Sequence, residues 1–170
     1  GNIIWDRTFE GPKGNPGGAY SVQSTPDGGY ILAGWTKNKA WLIKTDGEGN
    51  MLWNRALYPS ELYYGYGGWA KSVQPARDGG YLLAGERGSS EVWLIKTDIN
   101  GDMLWDKVLD GGNSNGAFSI QPTADGGYIL AGRAGCTWNI FQNIFDMHMF
   151  PSNGQTGSYG ASRGNAWLIK

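Results

Sequence analysis

Residues 27–34 read Asp-Gly-Gly-Tyr-Ile-Leu-Ala-Gly, and the same pattern returns twice at similar intervals. The three copies are Asp27–Gly34, Asp78–Gly85 and Asp125–Gly132, so Asp27 and Asp78 are 51 positions apart and Asp78 and Asp125 are 47 apart. Self-similarity at a period of this length is typical of repeat architectures. The sequence therefore predicts three copies of one structural unit.

Three further short segments accompany this pattern in each copy. They are Trp-Leu-Ile-Lys at 41–44, 93–96 and 167–170, a segment ending in tryptophan at 1–5, 49–53 and 101–105, and Ala-x-Ser-Val/Ile-Gln at 19–23, 70–74 and 117–121. Each segment is rich in β-branched, aromatic and aliphatic residues and is bounded by Gly, Pro, Asp or Asn, which favours a short strand. Each unit is thus predicted to be four antiparallel strands, named a, b, c and d in chain order.

Tandem four-stranded units of roughly 40–50 residues are typical of β-propeller blades. The composition agrees with an all-β fold, because 29 glycines in 170 residues are costly to place in helices. The glycines keep no three-residue period, which excludes collagen, and 14% aromatic content argues against disorder. We therefore expect an all-β propeller portion of three four-stranded antiparallel blades, forming one domain over residues 1–170.

The charge and cysteine content exclude several functional classes. A net charge of −1 provides no basic face for nucleic acid. No apolar segment approaches the roughly 20 residues of a membrane span. The single cysteine, Cys136, rules out an internal disulfide framework and a cysteine-rich zinc site.

Two turns carry a resemblance to a known family. Residues 45–53 and 97–105 both read Thr-Asp-x-x-Gly-x-x-x-Trp, which resembles the tryptophan-docking repeat of pyrroloquinoline-quinone-like (quinoprotein-type) propellers. Together with the Asp-Gly-Gly-Tyr and Trp-Leu-Ile-Lys patterns, it is similar to propeller repeats of secreted and cell-surface proteins in bacteria and archaea. The resemblance covers nearly the whole chain except 134–163, and it implies an extracellular or cell-surface location.

The same resemblance bears on cofactors. In quinoprotein dehydrogenases of that superfamily the quinone lies against a vicinal disulfide and a calcium ion. One cysteine cannot form that disulfide, so no quinone is expected. Asp46 and Asp98 offer oxygens that could bind calcium, but each loop has too few acidic ligands, and capping of the turn is the preferred interpretation. No other cofactor is predicted.

The strand order raises the question of closure. It reads d-abc-d-abc-d-abc, which is three blades permuted by one strand, whereas propellers typically need about four to eight blades. Either two copies close a six-bladed ring, or these residues are a fragment of a longer propeller; the missing initial methionine suggests a processed or trimmed product. The residues expected at the exposed edges are Ile3, Ile4, Trp5, Trp167, Leu168 and Ile169.

The loops divide into two faces. The a–b and c–d turns are nearly identical among the copies, whereas the d–a and b–c loops differ, and we call the side that carries the latter the variable face. Its third b–c loop contains an insertion at 134–163, which is either a helix or a long hairpin. Since loops on a rigid scaffold commonly carry function, the variable face is the candidate ligand surface.

The preferred functional hypothesis is a non-enzymatic binding module for a glycan or a protein. The candidate ligand-binding residues are Trp35, Tyr58, Tyr63, Tyr64, Tyr66, Trp69, Trp138, Glu86 and Arg133. Packing of the loops is the competing role for Trp69 and Trp138. Two alternatives remain: a structural module of a surface assembly joined through its open blade edges, and a polysaccharide hydrolase or lyase using Glu61, Glu86 and His148. No catalytic motif is identified.

Overall fold

The computed structural model describes residues 1–60, 67–88, 91–109, 116–134 and 165–169, the last segment by its backbone alone. The strands are β1 (Gly17–Ser24), β2 (Tyr30–Thr36), β3 (Lys39–Thr45), β4 (Met51–Leu57), β5 (Gly68–Pro75), β6 (Tyr81–Arg87), β7 (Glu91–Thr97), β8 (Met103–Leu109), β9 (Gly116–Pro122), β10 (Tyr128–Ala134) and β11 (Asn165–Ile169). A 3-10 turn, Pro12–Gly14, precedes them. The all-β prediction is confirmed.

The strands form three antiparallel sheets, each built from strands that are consecutive in sequence. Blade 1 has the order β1-β2-β3-β4, blade 2 has the order β5-β6-β7-β8, and blade 3 has the order β9-β10-β11. The register repeats as well, since Gly34 lies opposite Trp41, Gly85 opposite Trp93, and Gly132 opposite Trp167. The arrangement is that of propeller blades in an open arc.

Each first strand contains a β-bulge at the same place. The register shifts between Ala19 and Ser21 in β1 and between Ala70 and Ser72 in β5, and β9 has the same irregularity. The extra residues are Tyr20, Lys71 and Phe118, which we call the bulge residues. A bulge leaves one residue without a partner across the ladder, so its side chain can be re-aimed.

The bulges explain why Ala-Gly recurs in every second strand. A Cβ built on Gly34, Gly85 or Gly132 would lie 1.8, 1.9 or 2.0 Å from a carbonyl oxygen of the neighbouring first strand. Real Cβ atoms do not approach backbone this closely, so only glycine fits at these three positions.

The hydrophobic core lies between the blades. One buried cluster joins blade 1 to blade 2, including Ile31, Leu42, Val73 and Leu83. A second cluster joins blade 2 to blade 3 in the same manner. The first strands of successive blades, β1, β5 and β9, are called the inner strands, and they also bond to each other. The amide N–H of Val73 donates to Ser21 Oγ at 3.3 Å, and that of Ile120 donates to Ser72 Oγ at 3.2 Å.

In blades 1 and 2, a buried lysine ties the a–b turn to strand c. Lys44 Nζ lies 2.8 Å from Asp27 Oδ2 and donates to the carbonyl of Thr45 at 2.9 Å. Lys96 repeats the arrangement, with Nζ 2.8 Å from Asp78 Oδ1. Asp27 also accepts the N–H of Gly29 within its own turn. The hydrogen bond from Lys44, followed by that from Thr25, lowers the pKa of Asp27 from 3.8 to about 2.

This ion pair predicts a specific loss of stability in acid. Because the pKa of Asp27 is lower in the folded chain than in the unfolded chain, its stabilisation is present above about pH 4 and disappears as the pH falls towards about 2. We expect the melting temperature of the wild type to exceed that of Asp27→Asn at neutral pH, and the gap to close over this range. Thermal melts by circular dichroism check this, and a gap that is independent of pH would contradict it.

Residues 1–9 form no strand, and within this segment Trp5 packs on blade 1. The ring of Trp5 contacts that of Tyr30 in a tilted arrangement, with centroids 6.0 Å apart, and its six-membered ring covers Gly49. The sequence predicts strand d for this segment, but no ladder partner for it occurs among the described residues. A strand d pairs with strand c of its own blade, and in the described part of the chain no strand c lies beside residues 1–9.

Candidate functional site

The inner strands and second strands bring several predicted ligand residues to equivalent positions on the variable face. Trp35 lies opposite Gly18 in blade 1, Trp69 opposite Glu86 in blade 2, and Arg133 opposite Gly116 in blade 3. In each blade, the second-strand residue of this pair directly follows the glycine that lies opposite the core tryptophan, so the pair is one residue nearer the variable face. Tyr63, Tyr64, Tyr66 and Trp138 lie outside the described residues.

Blades 1 and 2 each place one tryptophan here, but on opposite strands. In blade 1 the indole of Trp35 covers Gly18, so closely that a Cβ on that glycine would lie 2.9 Å from Trp35 Nε1. In blade 2 the tryptophan is Trp69, on the inner strand, and it remains 38% exposed. The tryptophan thus lies on the second strand in blade 1 and on the inner strand in blade 2. These two rings are therefore not part of the packing that all blades share.

A lysine lies between two aromatic rings beside Trp69. Lys71 Nζ is 4.1 Å from the ring centroid of Tyr20 and 5.1 Å from that of Trp69. Cations at these distances from ring faces are attracted by about 0.5–1 kcal/mol at exposed sites. Lys71 therefore links the inner strands of blades 1 and 2 at the variable face, with two ring faces around one cation.

Glu86 completes this cluster and extends it to blade 3. Its Oε2 lies 4.0 Å from Lys71 Nζ, and both side chains are largely buried. A Cβ on Gly116 would lie 2.3 Å from Glu86 Oε1, so the carboxylate sits directly on the inner strand of blade 3. We call Tyr20, Trp69, Lys71 and Glu86 the rim cluster. It offers flat apolar faces together with one cation and one carboxylate.

Tyr58 belongs to a different part of the variable face. It follows the outer strand β4, is about half exposed, and has Lys39 Nζ 4.1 Å above its ring centroid. Nearby, the N–H of Gly68 donates to the carbonyl of Asn38 at 3.1 Å. The structure thus separates the predicted residues into the rim cluster, Trp35 above Gly18, and an outer Tyr58–Lys39 pair.

Two members of the rim cluster, Tyr20 and Lys71, are absent from the sequence-based candidates. A signal for them is present in the repeat, because Ala-Tyr-Ser, Ala-Lys-Ser and Ala-Phe-Ser share their flanking residues and differ only in the middle. Such a position is free of the packing that fixes its neighbours. The third bulge residue, Phe118, is also about half exposed.

The two turn carboxylates bind their own loops. Asp46 Oδ1 accepts the N–H of Glu48 at 3.0 Å and that of Asn50 at 2.8 Å, and Asp46 Oδ2 accepts the side-chain amide of Asn50 at 2.9 Å. These bonds, led by the one from the Asn50 side chain, lower the pKa of Asp46. Asp98 Oδ1 accepts the N–H of Asn100 and of Asp102, both at 2.9 Å. In the portion of the chain that the structure describes, no three His, Cys, Asp or Glu residues group as a metal site.

Glu61 and His148, which the hydrolase or lyase alternative would use, lie outside the described residues. So do Cys136 and, apart from Ala134, the predicted insertion at 134–163. Within the described ranges, no helix is both long and apolar enough to cross a membrane.

Comparison with known proteins supports the fold. No protein-family model matches the chain, and no curated protein matches it. Among solved structures it is similar to a protein of unknown function from Bacteroides caccae, with a TM-score of 0.51 and 20% sequence identity. The match covers 78% of this chain and 45% of that one, so the chain spans less than half of its neighbour's length. At this identity the likeness concerns the fold alone, and it agrees with repeated antiparallel sheets of a β-propeller-like protein.

Proposed function

We propose that this chain is a non-enzymatic binding module that holds a glycan at the rim cluster and at Trp35 on the variable face. The observation that carries the proposal is the arrangement of Lys71 between the rings of Tyr20 and Trp69 with Glu86 beside it. Sugar rings present apolar faces and a circle of hydroxyl groups. Aromatic faces with a polar handle, next to a charged donor and a charged acceptor, match both features.

The positions at which the repeat varies support a binding role. The side chains that hold the blades together recur in all copies, whereas the bulge residues and the positions of Trp35, Glu86 and Arg133 differ. Variation confined to one face of a rigid scaffold is the usual pattern of a binding surface. A protein ligand would use the same aromatic anchors, and the binding experiment distinguishes the two classes.

We propose that the chain shares the propeller scaffold of the quinoprotein-type proteins it resembles, but not their quinone cofactor. One cysteine cannot form the vicinal disulfide that supports the quinone in that superfamily, so the residues do not fit that cofactor. We propose a secreted or cell-surface protein that uses the scaffold for binding and needs no cofactor. Calcium at the Asp46 and Asp98 turns remains the alternative, and a rise in melting temperature on adding calcium would favour it.

The first test is a glycan array followed by calorimetry on the strongest hit. We expect Trp69→Ala and Lys71→Ala to weaken binding about tenfold or more each, since central aromatic and cationic residues dominate such contacts. Trp69→Ala should leave the melting temperature within a few degrees because Trp69 is partly exposed, whereas Lys71→Ala should lower it further because the largely buried Glu86 loses its cation.

Leu104→Ala is the matched control. Leu104 is 60% exposed on the outer strand β8, far from the inner strands in the blade order, so its removal should not alter binding. A glycan that binds the wild type and Trp69→Ala equally would contradict the proposal. An array without hits, together with a captured protein that is lost in Trp69→Ala, would reassign the ligand to the protein class.

A further inference from the structure

We propose that the rim cluster contains an aromatic cage for a quaternary ammonium ion, and that Lys71 fills this cage when no such ligand is bound. The cage consists of the ring faces of Tyr20 and Trp69 and the carboxylate of Glu86. The ligand is a small ion of the choline type, in which a positively charged nitrogen carries methyl groups. It takes the place of the Lys71 ammonium rather than lying beside it.

The surroundings of the Lys71 ammonium are those that bind an organic cation. Its Nζ lies 4.1 Å from the ring centroid of Tyr20 and 5.1 Å from that of Trp69. Both distances are within the roughly 6 Å over which a ring face attracts a cation. Glu86 Oε2 lies 4.0 Å from the same nitrogen and adds a negative charge. Ring faces grouped around one positive charge are the arrangement by which proteins recognise quaternary ammonium groups.

The contacts that hold the Lys71 ammonium differ from those of the buried lysine in blade 1. Lys44 Nζ donates to the carbonyl of Thr45 at 2.9 Å and lies 2.8 Å from Asp27 Oδ2. At 4.0 Å, the Glu86 oxygen is too far from Lys71 Nζ for a hydrogen bond. Ring faces and charge attraction therefore hold Lys71 in the cage. A quaternary ammonium ion, which has no N–H group to donate, can make both of these interactions.

The backbone at Lys71 allows its side chain to leave the cage. Lys71 is the extra residue of the bulge between Ala70 and Ser72, so no residue across the ladder fixes its side chain. The equivalent bulge residues of blades 1 and 3, Tyr20 and Phe118, are both about half exposed. The same backbone therefore accommodates side chains that reach into solvent, and Lys71 can rotate outward without disturbing the strand.

Glu86 determines that the ligand which displaces Lys71 is a cation. Its side chain is largely buried, and a Cβ built on Gly116 would lie 2.3 Å from Oε1, so the carboxylate is packed on the inner strand of blade 3. A buried carboxylate that loses its cation is strongly destabilising. The displacing ligand must therefore bring a positive charge, whereas a neutral sugar binds the rim cluster with Lys71 in place.

The rings of the cage favour a quaternary ion over a primary ammonium. Tyr20 and Trp69 are both partly exposed, so a ligand can reach them from solvent. A primary ammonium is strongly hydrated, whereas the methyl groups of a quaternary ion are apolar and contact ring faces directly. Lys71 is nevertheless tethered beside the rings and competes at a high effective concentration. We therefore expect weak binding by the wild type and much tighter binding once Lys71 is shortened.

The first experiment is a calorimetric titration with choline chloride, referenced to sodium chloride at the same ionic strength. We expect Lys71→Ala to bind choline about tenfold or more tighter than the wild type, because the tethered competitor is gone. The neutral carbon analogue of choline, in which a tert-butyl group replaces the trimethylammonium group, should bind neither protein measurably. Equal choline affinity of the two proteins would overturn the proposal, as would equal affinity of Lys71→Ala for choline and its neutral analogue.

Double variants test the walls of the cage. Adding Glu86→Gln or Trp69→Ala to Lys71→Ala should abolish the gain in choline affinity, since the first removes the negative charge and the second removes a ring face. Adding Leu104→Ala is the matched control and should preserve the gain, because Leu104 is exposed on the outer strand β8. A gain that survives both Glu86→Gln and Trp69→Ala would place the ammonium ion elsewhere and overturn the proposal.

Thermal melts provide a second readout. Choline should raise the melting temperature of Lys71→Ala but not that of Lys71→Ala/Glu86→Gln, because it replaces the cation that Glu86 has lost. If Lys71→Ala does not fold alone, choline must restore its folding, and a chain that stays unfolded in excess choline would overturn the proposal.

Glycan binding and choline binding should change in opposite directions in Lys71→Ala, so each is decided separately. Weaker glycan binding without a gain in choline affinity would overturn the cage and leave the glycan site intact. A gain in choline affinity in a chain that binds no glycan would support the cage alone.

Discussion

Gly85→Ala should lower the free energy of unfolding by about 3 kcal/mol or more. The added Cβ would lie 1.9 Å from the carbonyl oxygen of Trp69 and 2.9 Å from its carbonyl carbon. Both are backbone atoms, so relief requires the bulge at Ala70 and Ser72 to open. Chemical denaturation monitored by tryptophan fluorescence measures this change.

Gly18→Ala provides the control for this result. Its Cβ would also meet a close neighbour, but the neighbour is the indole of Trp35, which can swing outward. The equivalent position in blade 2 carries Trp69, so the backbone there accepts a large residue. A cost below about 1 kcal/mol is expected. Equal costs for Gly85→Ala and Gly18→Ala would show that the bulge is not the constraint.

Asp27→Ala should destabilise the chain by about 1–2 kcal/mol, and more than Lys44→Met does. Removing the carboxylate leaves the buried ammonium of Lys44 with the carbonyl of Thr45 as its other acceptor. Breaking a fully buried pair costs about 3–5 kcal/mol, but Asp27 is 60% exposed and solvent screens the interaction, so we expect a smaller loss.

Lys44→Met should cost less stability than Asp27→Ala. It replaces a buried charge with an apolar side chain of similar length, and the carboxylate that it leaves behind is exposed to water. Denaturant melts of the two variants at neutral pH give the comparison. A larger loss for Lys44→Met than for Asp27→Ala would contradict this account of the pair, and Asp78 with Lys96 allows the same test in blade 2.

The blades could be predicted from the sequence because the residues that specify them are local and repeated. The turn residues and the alternation of aliphatic and aromatic residues each specify one element, and three copies reinforce them. The bulges could not be predicted in the same way, since nothing in Ala19–Gln23 alone marks an extra residue. The structure reveals them, because the glycine opposite each bulge lies against a carbonyl oxygen of the inner strand.

The site was predicted less completely for a related reason. Trp35, Trp69 and Glu86 could be proposed from the positions where the repeat varies. Tyr20 and Lys71 were not predicted because each lies inside an otherwise repeated strand segment, whose flanking residues are the same in all copies. The contact between Glu86 and Gly116 joins two blades, and the distance between separate repeats is set by their packing, which no local pattern encodes.

The bulges also determine how this protein can change over time. At one position per blade the backbone is held by a neighbouring glycine and serine, while the side chain is released from both the ladder and the core. Tyrosine, lysine and phenylalanine already occupy that position without altering the strand around it. A single substitution at this position can therefore introduce a new functional side chain. Recombination between repeats would combine such side chains on an unchanged scaffold.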